Sequence, residues 1–162
     1  MEPNATRDAL LGGLRAMADE LAGLCAEAGH AAWRRRPVPG EWSLTEIACH
    51  LRDVEREVHL ERLRRVAAGP DAFLQAADPD PLAETRAYQE QDGPAAFQEF
   101  LAARAALIEY LEGLPLDTWE RTARHALFGT TRFSELVSLM IDHDRAHVDQ
   151  IRATLAVVNR PA

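Results

Sequence analysis

The chain of 162 residues contains no lysine, and all 18 of its Lys-plus-Arg positions are arginine. A Schiff base on a side-chain amine, attachment of pyridoxal phosphate and a Walker-type phosphate loop all need a lysine that arginine cannot imitate, so these chemistries are excluded. Cysteine is scarce as well. Cys25 and Cys49 are too few and too far apart for a disulfide framework or a Cys-x-x-Cys pair, which agrees with a reducing compartment. No run of about 18 apolar residues is present that could span a bilayer. The N-terminal stretch MEPNATRDALLGGLR lacks the basic and apolar blocks of a secretory signal, so a cytoplasmic protein with no membrane partner is expected. Positive surface is limited to the short runs Arg34 to Arg36 and Arg64–Arg65, on a chain of net charge -8 and sequence pI near 5.2. Such a field repels phosphate backbones, and no nucleic-acid partner is expected.

What is present is ordinary for a globular protein: 47% hydrophobic and 27% charged residues, at a length suited to a single domain over residues 1–162. Apolar residues Leu10, Leu14, Met17, Leu21, Leu24 and Ala28 step by four and three, which predicts a first helix from about residue 5 to a capping Gly29. RRRPVPGEW interrupts the pattern, and SLTE, Ser43 to Glu46, reads as a capping box opening a second helix. Its stripe is Ile47, Leu51, Val54, Val58 and Leu63, stopped by Gly69–Pro70. Residues 69–93 are rich in proline and acidic residues, with one short helical turn expected around Leu82 to Tyr88; a connection of this length suits a crossover. Pro94 opens a third helix with Phe97, Leu101, Ile108 and Leu111 facing inward and Gly113 at its end. A fourth runs from near Thr131 to Val158 on the stripe Phe133, Leu136, Met140, His143, His147, Ile151, Leu155 and Val158. No strand-like alternation or internal repeat competes with these patterns. The expected architecture is an all-α four-helix bundle with a long crossover between helices two and three.

His143 and His147 occupy positions where the stripe demands core residues. Four residues along a helix is a rotation of about 40°, with Cβ atoms roughly 6 Å apart, which suits two imidazoles converging on one ion. His50, three residues after Ile47 and four before Val54, faces the core from the second helix. Three inward histidines on two helices form an open, all-nitrogen set of the kind found in catalytic metal sites. Spacing alone leaves that reading and three hydrogen-bonded core histidines both open. His30 and His59 join no comparable set, and His125 lies in an irregular stretch where its direction cannot be inferred. HDRAH lacks the glutamate of His-Glu-x-x-His, which disfavours metalloprotease chemistry.

GEWSLTEIACHLRDVEREVHLERL, residues 40–63, followed by DHDRAHVDQI, residues 142–151, resembles the DinB-like family of metalloenzymes across nearly the whole chain. The resemblance implies a four-helix bundle with a crossover between helices two and three, frequent homodimerisation, and a divalent ion, often zinc or nickel. It implies His50, His143 and His147 as the metal ligands. Characterised relatives transfer or isomerise with low-molecular-weight thiols such as bacillithiol or mycothiol. The function expected on this basis is a metal-dependent thiol S-transferase acting on a small-molecule substrate. The alternative is a non-catalytic bundle of stress response that binds a metal or a small ligand.

Glu46 and Asp53, one turn either side of His50, are candidates to orient its imidazole or are plain exposed charges; the second is the commoner case. Asp142 and Asp144 fall off the stripe and read as solvated. Trp42 reads as a staple under the start of helix two, with lining of a pocket as the lesser alternative. Cys49, rotated about 100° from His50, reads as a small buried hydrophobe.

Overall fold

The computed structural model describes residues 3–159, so residues 1, 2 and 160–162 of the expected domain lie outside the described residues. Its frame starts with α1 (Pro3–Ala26). A second rod follows, made of α2 (Leu44–Val54), a π-helical turn (Glu55–His59) and α3 (Leu60–Ala68) in direct succession. A short helix α4 (Leu82–Thr85) lies in the crossover, ahead of α5 (Gly93–Glu112) and α6 (Phe133–Val158). None of the described helices is long and apolar enough to cross a membrane.

The helix starts follow local chemistry. Glu46 N–H donates to Ser43 Oγ while the Glu46 carboxylate accepts from Ser43 N–H at 2.8 Å, which is the capping box expected of SLTE. α5 is capped by Asp92, whose Oδ1 accepts from Ala95 N–H at 3.0 Å, with Pro94 in the first turn where its missing N–H costs nothing. α1 ends earlier than expected: Gly29 does not cap it but precedes a separate 3-10 turn, His30–Ala32.

Contacts along the helices give their directions. Thr45 lies against Gly93, and further on Glu55 pairs with Arg104, so α2 and α5 run the same way, as a crossover between them requires. A Cβ at Gly93 would come within 2.4 Å of Thr45 Oγ1 and 2.9 Å of its Cα, so only glycine permits this approach. Gly13 against Ile141 and Glu20 paired with Arg152 make α1 and α6 parallel in turn.

The π turn explains the second rod. At about 100° per residue from Ile47, an unbroken α-helix would point Leu63 and Val66 about 160° and 100° away from the stripe. One residue absorbed by the π turn brings them back to about 60° and 0°. Both are buried, whereas Val58, expected on the stripe, is only half-buried.

One expectation fails. The connections are not strand-free: β1 (Phe73–Leu74), in the crossover, pairs with β2 (Thr122–His125), which with β3 (Gly129–Arg132) lies between α5 and α6; β1 is parallel to β2 and β2 antiparallel to β3. Strands of two to four residues are too short to display a period of two, and the hairpin turn rests on Gly129 at φ +72°.

Buried apolar side chains form two clusters. One gathers Leu21, Ile47, Leu51, Phe97, Phe100 and Ile151; the other gathers Leu14, Leu63, Leu107, Trp119, Phe133 and Met140. Between them, at the matching level of each helix, lie His50, Glu55 and His59, then Arg104, then His143, Asp144 and His147. The bundle therefore has a polar layer between two apolar halves.

Candidate metal centre

His50 is placed by α2 and the two other imidazoles by successive turns of α6. Their Nε2 atoms converge: His50 to His143 is 3.2 Å and His143 to His147 is 3.1 Å, and the candidate ligand nitrogens of all three lie within 4.8 Å of one another. Nitrogens bound to one ion at 2.0–2.1 Å stand about 3–3.4 Å apart, so the spacing fits a shared cation.

The tautomers point the same way. His147 Nδ1–H donates to Gln150 Oε1 at 2.8 Å, which leaves its Nε2 as a lone pair directed at the cluster. A single proton on His143 Nε2 could satisfy only one of the two neighbouring lone pairs, and the Nδ1 atoms of His50 and His143 are buried without a hydrogen-bond partner. Burial, then the nearness of His147 and His143, pushes His50 down to about 3. Burial, then His143, pushes His147 down to about 4. Both are neutral at physiological pH, the form that a metal requires.

The three imidazoles floor a cleft of about 480 Å³ that opens to solvent. Trp42 forms one wall, its ring 4.9 Å from that of His50, and it also packs on the apolar cluster at the start of α2; it serves both roles considered for it. Asp78 to Asp80, from the long crossover, together with Gly40, Glu41 and Gln150, complete the lining, which includes no arginine side chain.

Several residues stand elsewhere than expected. Asp144 is fully buried, not solvated, because Arg104 reaches into the polar layer and binds it through Nη1 at 2.5 Å and Nη2 at 3.1 Å. Asp142 is exposed, as expected, beside Arg145. Glu46 and Asp53 are buried but do not touch His50. Glu46 is engaged with Ser43 and Arg36, and Asp53 with Arg52, Arg86 and the Tyr88 hydroxyl. His59, as expected, supplies no nitrogen to the cluster, but it packs behind it: its ring meets that of His143 edge-on at 5.2 Å, and its Nδ1 is 3.1 Å from Glu55 Oε2. The π turn rotates it inward, which a regular helical count could not reveal. His125 is buried in the sheet, where Nδ1 accepts from Leu127 N–H, and His30 is exposed. Cys49 is a buried thiol, raised to about 11 chiefly by burial.

Sequence reasoning overlooked Gln150 and Arg104. Both carried a signal: Gln150 is three residues past His147, and Arg104 interrupts the apolar ladder Ala96, Phe100, Ile108.

Solved structures share this architecture. YfiT from Bacillus subtilis, described as a probable metal-dependent hydrolase with an unusual four-helix bundle topology, superposes with TM-score 0.81 at 13% identity, over 96% of this chain and 89% of that one. TT2238, a four-helix bundle protein, gives TM-score 0.65 at 22% identity, over 91% of this chain and 98% of its own. Among curated proteins none matches the chain significantly. The sequence profile of the DinB superfamily matches residues 13–151, which include all three converging histidines, and the chain belongs to that superfamily.

Proposed function

We propose that the protein is a metal-dependent enzyme in which His50, His143 and His147 hold one divalent ion, zinc or nickel, and which transfers a low-molecular-weight thiol to a small electrophile. The observation that carries this reading is the convergence of three Nε2 atoms on the floor of an open cleft. When bound there, a divalent ion supplies Lewis acidity that brings the pKa of a thiol toward neutrality. The chain's own side chains provide the rest. No lysine exists and no cysteine lines the cleft, so the nucleophile comes from a small molecule rather than from the protein. The Trp42 ring offers an apolar wall, and Glu41, Asp78 and Asp80 at the mouth favour neutral or cationic electrophiles over anionic ones.

A second reading replaces the thiol with water. The description of YfiT as a probable metal-dependent hydrolase favours it, and the same cleft would serve. One experiment separates the readings: protein purified without a metal-affinity tag is analysed for divalent metal, then assayed with a panel of thiols and electrophiles and, without thiol, with esters and amides. Thiol-dependent turnover that His147→Ala abolishes is the expected result. Thiol-independent turnover establishes the hydrolase, and equal rates for both proteins throughout the panel leave only a binding module. A cytoplasmic homodimer accompanies this reading. Light scattering at micromolar concentration should give a mass well above 18.0 kDa, and a value at that mass would rule the dimer out.

A further inference from the structure

The three imidazoles of the cluster are braced unequally. His147 is tethered through Nδ1 to Gln150, and His50 has the Trp42 ring packed on it. His143 has neither support: its Nδ1 is buried with no hydrogen bond, and its nearest charged neighbour is Asp144 Oδ1 at 3.9 Å. Behind it runs a closed circuit. The Arg104 guanidinium grips Glu55 with Nε at 2.6 Å and Nη2 at 3.0 Å, and grips Asp144 with Nη1 at 2.5 Å and Nη2 at 3.1 Å. Glu55 in turn holds His59 by Nδ1, and the His59 ring stands at 90° to that of His143.

We infer that Arg104 is a positioning residue of the metal centre, holding the His143 imidazole in its ligating orientation from two sides, through Glu55–His59 and through Asp144. The inference rests on the metal reading proposed above. Its physical basis is that both arms of one planar fork end at the same ring. A salt bridge serving only to join helices has no need to do so. Arg104, Glu55 and Asp144 are each 1% exposed or less, and among the described residues no other arginine reaches either carboxylate. Asp144 stands beside His143 Nδ1 at 3.9 Å, too far for a hydrogen bond, so this arm acts through charge and packing, and losing a group that orients a ligating histidine typically lowers metal affinity 10- to 100-fold. Lysine, with one compact ammonium, cannot reproduce the four contacts of the fork.

The test compares the wild-type chain with Arg104→Lys, Asp144→Asn and, as a control for lost stability, Leu14→Ala, which opens a cavity in the apolar core remote from the histidines. Folding of each metal-free protein is followed by circular dichroism. Zinc affinity is measured by competition with a chromophoric chelator, and ligand geometry is read from the visible absorption of the cobalt(II) form. The expected result is an affinity about 10- to 100-fold lower for Arg104→Lys and Asp144→Asn, with an altered cobalt spectrum, while Leu14→Ala keeps both at wild-type values. If the two variants fold and match the wild type in both readouts, Arg104 does not position the ligand. If neither folds while Leu14→Ala does, the circuit serves the fold alone and the assignment falls. A wild-type protein that takes up no ion overturns the metal reading itself, a result distinct from the other two.

Discussion

Gln150 decides which nitrogen of His147 faces its neighbours. By accepting from Nδ1–H it leaves the Nε2 lone pair toward His143, so one carboxamide, three residues along the same helix, sets the tautomer that the proposed metal ligand needs. Burial then keeps His50 and His147 neutral, at about 3 and about 4 against an ordinary 6.5. Both are depressed in the fold, so below pH 6.5 the unfolded chain binds more protons than the folded one. The metal-free protein is therefore at full stability above about pH 7 and loses it as pH falls from 6.5 toward about 4. Glu55 and Asp144, held below their ordinary range despite burial by Arg104 and the nearby histidines, act with the same sign at lower pH and leave this window to the histidines. Urea midpoints of metal-free protein at about pH 7, 6 and 5 should decline in that order, and less steeply in His147→Asn. Midpoints independent of pH would refute the buried neutral pair.

At the scale of elements, the π turn at Glu55–His59 is what lets one rod bury residues on both sides of the polar layer. It absorbs one residue, so length changes there should act asymmetrically. Deleting exposed Arg56, whose ion pair with Glu99 is also exposed, leaves a plain α-helix with Leu63 and Val66 still facing inward. Inserting one alanine at the same place rotates α3 by about 100° and swings both toward solvent. Thermal unfolding should show the deletion within about 1 kcal/mol of the wild type and the insertion destabilised by at least about 3 kcal/mol, as expected for unseating two buried aliphatic side chains. Equal effects of the two changes would mean that the turn does not set the phase.

For the whole molecule, the polar layer is the weak seam between two apolar clusters, and the three histidines bridge it from α2 to α6. The proposed cation, shared by both helices, would bind the folded chain and not the unfolded one. At a thousand times its dissociation constant it stabilises by about 4 kcal/mol, a rise in Tm of roughly 10 °C for a chain of this size. Differential scanning calorimetry with zinc and with a strong chelator should show that gap. Coincident transitions would mean that no ion spans the seam.

Local pattern was enough for the four helices, the crossover and the inward direction of His50, His143 and His147. Each of these follows from periodicity, capping or prolines within one segment, where the geometry of the α-helix relates spacing to direction. Ser43 and Glu46 marked the start of α2, and the four-residue step from His143 to His147 marked a shared face. How those faces meet depends on packing between segments. Burial of Asp144 depends on an arginine forty residues away, at position 104; the inward turn of His59 depends on a π turn whose cause is the packing of Leu63 and Val66; and the short strands acquire their partners only across the fold. These outcomes arise from contacts between segments distant in the chain. No local period encodes them, because the free energy that selects them appears only when the helices pack.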